Sequence, residues 1–246
     1  MSSVSIIIPT LNEASCLEGT LRQLSLLNPP AKEVLVVDGG SQDETVEIPA
    51  STHFSGLRLI CSNQRGRAVQ MNQGAEVATG EILCFLHADT LVPHDLVRLI
   101  EQTLADDRVA CGGFISVMAG SETTRWGISL HNYLKTYYAP LFFRPHLFFK
   151  GLRLLFGDQV MFCRRRDFWD CGGFDAALPI MEDGDLCFKL VQRGQIRLVN
   201  RIVQSSDRRV ARWGSLKATA IYLYVGILWG IGVSTTYLKQ FYEDIR

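Results

Sequence analysis

The chain has 246 residues, 47% of them hydrophobic, which suffices for one large domain, or one and a half, with a sizeable core. Lys plus Arg and Asp plus Glu both number 25, so no overall charge would attract nucleic acid, and we expect no nucleic-acid partner. Seven cysteines lie without zinc-type spacing, and nothing before Val4 resembles a signal peptide. These features predict a reducing, cytoplasmic location.

Apolar strands alternate with helices in the first part of the chain. Strands are predicted at 4–8, 33–37, 57–61 and 82–86, and helices at 13–27, 43–48, 68–78 and from Pro93 onward. Because these strands are apolar throughout, they favour a parallel sheet that is covered on both faces. Residues up to about 110 are therefore predicted to form a doubly wound α/β unit with one ligand crevice at its strand ends.

The pattern is less regular after residue 110. Residues 126–156 are aromatic and basic without a clean strand or helix period, 181–192 indicate a helix, and 218–238 are almost uncharged. We predict a nucleotide-binding α/β half at 1–110 and an acceptor and catalytic half of the same domain at 111–205. A basic segment with apolar C-terminal helices is expected at 206–246.

Polar side chains follow each predicted strand of the first half. They are Thr10, Asn12 and Glu13 after the first strand, Asp38 after the second, residues 63–67 after the third, and His87 and Asp89 after the fourth. The chain contains neither G-x-G-x-x-G after the first strand nor G-x-x-x-x-G-K-[ST] anywhere. A glycine-rich dinucleotide site or a P-loop is therefore disfavoured, although side chains and a metal ion could still hold a nucleotide here.

Several segments occur in an order that resembles family 2 glycosyltransferases of the GT-A fold. They are SIIIPTLNEA, VLVVDGGSQDET, GRAVQMNQGAEVATGEILCFLHADT, GDQVMF, CGGFD and IMEDGDLCFKL, and together they span about residues 4–190. The chain is most similar to a small bacterial subgroup known as rSAM/selenodomain-associated transferase 2. The resemblance implies a mostly parallel, Rossmann-like sheet flanked by helices, here with an apolar helical extension at the C-terminus.

The resemblance also implies which residues bind the nucleotide. The implied set is Pro9, Thr10, Glu13, Asp38, Arg67 and His87. Asp38 would accept from the nucleobase imide, Thr10 and Glu13 would line the base and ribose, and Arg67 would help to bind the base or the diphosphate. The residues alone allow other interpretations, since Asp38 could form the turn before two glycines and Glu13 could favour a helix start.

His87-Ala88-Asp89 occupies the position of the Asp-x-Asp sequence in the family. The resemblance implies that Asp89 holds a divalent cation, Mg²⁺ or Mn²⁺, against the diphosphate, and hard oxygen ligands suit both ions. His87 replaces the first aspartate, and its imidazole could bind a ribose hydroxyl or supply a nitrogen ligand. A polar residue at a strand end is the simpler interpretation of His87, and strict metal dependence stays open.

The second group of acids implies the catalytic residues. Asp183 matches the catalytic aspartate of the family, a base that takes the proton of the acceptor hydroxyl, with Glu182 or Asp185 orienting the acceptor. Asp158 and Gln159 match the segment near the donor sugar and acceptor. A base opposite a metal-bound leaving group implies one displacement with inversion. From the residues alone, three acids at a helix start are a common stabilising arrangement.

These residues predict transfer of one sugar from a nucleotide-diphosphate sugar, by family frequency a UDP-sugar, to a hydroxyl acceptor that is a small molecule or a lipid. The basic segment 205–214 could close over the diphosphate, and it lacks the Gln of the Gln-x-x-Arg-Trp sequence of processive enzymes. Two alternatives stay open. A sugar-phosphate nucleotidyltransferase would need a glycine-rich basic loop after the first strand, and a non-catalytic scaffold at a membrane would have kept only the fold.

The apolar segment 218–238 is long enough to cross a bilayer, which takes roughly 20 residues. Glycines, Ser and Thr interrupt it, and two Phe-Phe pairs lie between basic residues at 142–143 and 148–149. We expect peripheral contact with the inner face of a membrane through an in-plane C-terminal helix. The alternative is a helix that packs on the catalytic domain or on the partner in a homodimer.

Overall fold

The computed structural model describes residues 3–52, 55–120 and 123–241 and contains one eight-stranded mixed sheet within these ranges. The strands are β1 Val4–Thr10, β2 Glu33–Asp38, β3 Leu57–Cys61, β4 Ile82–Phe85, β5 Thr90–Leu91, β6 Val109–Ala119, β7 Met161–Arg164 and β8 Gln195–Ser206. Their order across the sheet is β3-β2-β1-β4-β7-β6-β8-β5.

The first four strands run parallel to one another, as predicted. β1 lies between β2 and β4, with Thr10 beside Asp38 and Ile7 beside Phe85. β7 then pairs antiparallel with both β4 and β6, so the sheet continues from the predicted nucleotide-binding half into the second half. The mostly parallel α/β architecture flanked by helices is confirmed, and the predicted boundary at residue 110 falls inside β6.

The helices are α1 Ala14–Leu24, α2 Ile48–Ser51, α3 Arg67–Val77, α4 Leu96–Leu104, α5 Trp126–Phe143, α6 Pro145–Phe149, α7 Arg165–Asp170, α8 Glu182–Leu190, α9 Arg208–Trp213, α10 Ser215–Gly230 and α11 Thr235–Leu238. Single 3-10 turns lie at Glu44–Val46, Gly157–Gln159 and Lys239–Phe241.

Successive residues of β1 point into two different cores, as expected for a strand buried on both faces. Ile6 and Ile8 pack with Leu17 of α1 and Ile100 of α4 on one side of the sheet. Ile7 packs with residues of α3, α7 and α8 on the other side. Burying both faces fixes the strand register, and the register aligns the carboxyl ends of the strands.

Residues 126–156, for which the sequence indicates no helical period, contain the 18-residue helix α5 and the short helix α6. The sequence does not indicate this helix, because the inward side of α5 carries buried polar residues, Ser129, Asn132 and Thr136, together with Ile128. On the outward side Leu130 is 59% exposed, so the usual contrast between an apolar inner face and a polar outer face is missing.

The apolar segment at the C-terminus forms two helices rather than one. α10 ends at Gly230, and a link containing Gly232 at a φ of +94° leads into α11. Such a φ suits glycine because it has no Cβ. Within the described ranges, no helix is both long and apolar enough to cross a membrane.

Candidate active site

The carboxyl ends of β1, β2 and β4 bring the predicted crevice residues to one edge of the sheet. Thr10 ends β1, Asp38 ends β2 beside it, and His87 follows β4, which neighbours β1 on the other side. Loops that leave parallel strands at such an edge usually form the ligand crevice of an α/β sheet.

Arg67 joins residues from three distant parts of the chain. It is the first residue of α3, and its guanidinium donates from Nε to Glu182 Oε1 and from Nη2 to Asp183 Oδ2, both at 2.6 Å. Nη1 lies 3.0 Å from Nε2 of His87. Because a guanidinium has no acceptor, Nε2 of His87 must accept, and the imidazole proton belongs on Nδ1.

Asp183 is the predicted base, and its side chain lies deep in this cluster. The residue is only 4% exposed, and Oδ2 also accepts from the backbone N–H of Gly157 at 2.9 Å. Burial raises the pKa of Asp183 to about 7, against the opposing effect of Arg67, while the neighbouring Glu182 raises it further. A carboxyl with a pKa near neutrality can take up a proton at working pH.

His87 is neutral in this environment. Burial lowers its pKa to about 4, and the nearby Arg67 lowers it further. Gly157 leaves room for both side chains, because a Cβ there would collide with His87 Nε2 and lie 3.1 Å from Nη1 of Arg67. His87 therefore serves here as a hydrogen-bond acceptor for Arg67.

Asp89 and Glu13 share a second arginine. Nη2 of Arg208, at the start of α9, lies 2.8 Å from both Asp89 Oδ2 and Glu13 Oε2. Glu13 precedes α1, but its side chain does not cap that helix and turns towards Arg208 instead. The interpretation of Glu13 as a helix-start residue therefore does not account for the position of its carboxylate.

Two carboxylate oxygens that converge on one positively charged atom also suit a small divalent cation. Asp89 and Glu13 supply the hard oxygen donors that Mg²⁺ and Mn²⁺ prefer, and diphosphate oxygens could complete the coordination. The described part of the chain contains no group of three or more His, Cys, Asp or Glu side chains that could bind a metal ion on its own. The donor set therefore fits a cation that binds together with a nucleotide.

Asp38 is bonded to its own loop. Oδ2 accepts from the backbone N–H groups of Gly40 at 2.9 Å and Ser41 at 2.8 Å. Oδ1 accepts from Thr10 Oγ1 at 3.3 Å and from the hydroxyl of Ser41. These contacts fit the interpretation of Asp38 as a turn residue. A nucleobase imide that donates to Oδ1 would have to replace one of the two hydroxyl groups there.

The remaining predicted residues make other contacts. Gln159 is buried, and its amide accepts from Phe156 N at 3.0 Å and donates to Thr136 Oγ1 at 3.2 Å, so it positions the loop. Asp158 accepts from Asn132 of α5 at 3.3 Å. Asp185 pairs with Lys189 at 2.7 Å along α8, and the half-buried Pro9 lies within β1.

Sequence reasoning missed Lys135 of α5. Its ammonium lies 3.8 Å from the centroid of the Phe156 ring, next to the turn that carries Asp158. Burial lowers the pKa of Lys135 to about 8, and Asp158 counteracts this effect. The spacing of Asn132 and Lys135 places both on one helix face. That signal could have been used only if α5 had been predicted.

Curated relatives match parts of this chain. A PGL/p-HBAD biosynthesis glycosyltransferase from Mycobacterium bovis is 35% identical over 129 residues, which is 50% of each protein. Glycosyltransferase AglE from Haloferax volcanii is 43% identical over 91 residues, 35% of this chain and 30% of AglE. The chain thus spans about half the length of the first of these relatives and less of the second.

Solved structures share the fold over nearly the whole chain. The mannosyltransferase PcManGT from Pyrobaculum calidifontis, in complex with GDP-Man and Mn²⁺, has a TM-score of 0.70 at 21% identity, covering 93% of this chain and 63% of that one. Glucosyl-3-phosphoglycerate synthase from Mycobacterium tuberculosis, with Mn²⁺, UDP and phosphoglyceric acid, has a TM-score of 0.65 at 20% identity, covering 94% and 79%. These likenesses confirm the predicted GT-A fold.

The motifs that carry the sequence resemblance lie mostly in the region matched by one family model. That model, described as glycosyl transferase family 2, matches residues 5–172, more than half of the chain. The chain therefore belongs to glycosyl transferase family 2.

Proposed function

We propose that this protein transfers one sugar from a nucleotide-diphosphate sugar to a hydroxyl acceptor, with inversion at the anomeric carbon. The observation that carries the proposal is the buried Asp183, whose pKa is raised to about 7 and whose partner Arg67 also binds His87, two residues from Asp89. A proton acceptor thus lies beside a cationic group that suits a diphosphate, and a carboxylate that suits a divalent cation lies close to the cluster in the sequence. The nucleotide ligands of the structural neighbours PcManGT and glucosyl-3-phosphoglycerate synthase support this choice.

Each residue has a distinct role in the proposed reaction. Both hydrogen bonds to Asp183 described above use Oδ2, which leaves Oδ1 to take the proton of the acceptor hydroxyl as that oxygen attacks. Arg67 and Gly157 fix the orientation of the carboxyl group. Asp89 and Glu13 would hold a divalent cation. When bound, that ion would offset the negative charge that develops on the departing diphosphate.

The finer parts of the proposal are UDP as the nucleotide, Mg²⁺ or Mn²⁺ as the cation, and a cytoplasmic location at the inner face of a membrane. UDP is the nucleotide bound in two of the structural neighbours, glucosyl-3-phosphoglycerate synthase and TarS from S. aureus, whereas PcManGT holds GDP-Man. Peripheral membrane contact through the C-terminal helix and membership of the rSAM-associated subgroup also remain predictions.

Release of nucleoside diphosphate tests the proposal. We expect the protein to release UDP or GDP from the matching nucleotide sugar when Mn²⁺ and a hydroxyl acceptor are present, and proton NMR of the product should show an inverted anomeric centre. Asp183→Asn should abolish turnover, whereas Asp107→Asn on the exposed surface should not. Release of pyrophosphate would instead identify a nucleotidyltransferase. No turnover with any donor would favour the scaffold.

A further inference from the structure

We propose that α5, α6 and α10 form one docking surface for a bilayer that contains anionic phospholipids. The outer side of α5 carries a row of large apolar side chains at helical spacing: Trp126, Leu130 and Leu134 are 68%, 59% and 48% exposed. Phe142 near the end of α5 is 74% exposed, and Phe149 at the end of α6 is 81% exposed. A row of this size on a monomer surface commonly marks an interaction site.

α10 carries a second exposed row. Leu216, Leu223, Ile227 and Ile231 follow one another at intervals of seven, four and four residues, and Leu216 is 90% exposed. Their spacing places them on one side of the helix or its end. Residues such as Ala218 and Val225 on its opposite side are buried against the protein. The outward side of α10 is therefore apolar without contributing to the described core.

The two rows lie on neighbouring helices, because α5 and α10 pack side by side in the same direction. Near the start of both helices, Ile128 and Ala218 belong to one small hydrophobic core. Near their ends, a Cβ on Gly230 would lie 2.6 Å from Cγ of Phe143, so the ring meets the α10 backbone. Arg144 also donates to the carbonyl of Gly230 at 3.2 Å. The proposed docking surface joins the exposed rows of these two paired helices.

Charge favours an anionic lipid surface as the occupant of this docking surface. Residues 126–157 and 208–241 contain nine of the 25 Lys and Arg residues and none of the 25 Asp and Glu residues of the chain. The nine are Lys135, Arg144, Lys150, Arg153, Arg208, Arg209, Arg212, Lys217 and Lys239. Of these, Lys150 directly after α6, Lys217 in the first turn of α10 and Arg212 on the preceding helix α9 are exposed. Exposed apolar side chains with flanking basic residues and no acids favour in-plane binding to anionic headgroups.

The same charge distribution disfavours a second copy of the chain on this face. A symmetric dimer joins one patch to itself, so it would bring two acid-free basic segments together. Like charges in contact oppose association, whereas phospholipid phosphates neutralise them. The inference is independent of the proposed sugar transfer, since binding to a membrane requires neither donor nor cation.

Vesicle co-sedimentation tests the proposal with full-length protein and no nucleotide. We expect binding to vesicles of phosphatidylcholine mixed with phosphatidylglycerol, little binding to phosphatidylcholine alone, and weaker binding as salt is added. Replacing three apolar residues (Leu130→Ser, Leu223→Ser and Ile227→Ser) should weaken binding at least about tenfold, as should replacing three bases (Lys150→Gln, Arg212→Gln and Lys217→Gln). The control variant carries Leu26→Ser and Ile202→Ser, which replace two exposed apolar residues outside the proposed surface, and it should bind vesicles like the wild type.

Thermal unfolding and gel filtration of each variant complete the design. If the apolar variant does not fold, the charge variant still decides the question, because its three side chains are exposed. No binding of the wild type, equal binding to neutral vesicles, or unchanged binding by folded variants would overturn the proposal. A wild-type dimer that the apolar substitutions convert to a monomer, without vesicle binding, would assign the surface to a second copy instead.

Discussion

Replacing Arg208 should strengthen the binding of a divalent cation to the protein. Nη2 of Arg208 lies 2.8 Å from carboxylate oxygens of Asp89 and Glu13, the two side chains that we propose as cation ligands. A cation that reaches these oxygens must first displace the guanidinium. The change Arg208→Gln removes this internal competitor and leaves both carboxylates in place.

The size of the effect follows from the two contacts. A hydrogen bond to a charged group contributes about 1.5–3 kcal/mol. The side chain of Arg208 is 31% exposed, so solvent screening reduces the combined contribution of both contacts to about 1.5 kcal/mol. Loss of that competition corresponds to about a tenfold lower Kd for Mn²⁺.

Titration of Mn²⁺ into the protein in the presence of UDP, followed by electron paramagnetic resonance of the free ion and compared with Mn²⁺ and UDP alone, measures this Kd. Arg212→Gln, on the same short helix but exposed, provides the control and should leave the Kd unchanged. Asp89→Asn should weaken binding. A Kd that stays the same or rises in Arg208→Gln would refute the placement of the cation between Asp89 and Glu13.

Activity that depends on the cluster around Asp183 should respond to pH, to a side chain added at Gly157 and to replacement of Arg67. Because the base must be ionised and its pKa is about 7, kcat/KM should rise with pH and level off above about 7; a flat profile would refute the role. The pKa of Asp183 in the folded protein lies above the unfolded value of about 3.9. The free energy of unfolding, measured in urea, should therefore fall as pH rises from about 4 to about 7, and Asp183→Asn should flatten this dependence. Gly157→Ala should lower kcat/KM at least about 100-fold because its Cβ collides with His87, whereas Gly19→Ala, in open space, should not. Arg67→Lys keeps the charge but loses the planar three-way contact, so kcat should fall while circular dichroism stays unchanged.

The strands of the first half could be predicted because burial on both faces leaves a strong sequence signal. Ile6, Ile7 and Ile8 are all fully buried, so the run of β-branched residues directly indicates a strand between two helical layers. The ends of these strands were predicted less accurately. β1 continues two residues beyond the predicted Ile8, because Pro9 and Thr10 still pair with Val37 and Asp38 of the neighbouring strand.

The helix α5 could not be predicted because apolar side chains cover its solvent side, and the same side chains form the proposed docking surface. Periodicity indicates a helix when one side is polar, and Leu130 and Leu134 remove that contrast on the solvent side. The missing period therefore indicated an apolar side exposed to solvent rather than an absence of helix. The face that obscured the secondary structure is the one we assign to a lipid surface.

The partners of the two arginines could not be predicted either, although both lie in segments that the sequence singled out. Arg67 and Asp183 are 116 residues apart, and Arg208 and Glu13 are 195 apart, so neither spacing nor composition specifies the pairs. The basic segment 205–214 was expected to close over a diphosphate, and here Arg208 lies on two carboxylates. An anionic donor that reaches either guanidinium would compete with a carboxylate for it. At Arg208, binding of the donor would thus free carboxylate oxygens of Asp89 and Glu13, which are the groups that hold the cation in the proposed reaction.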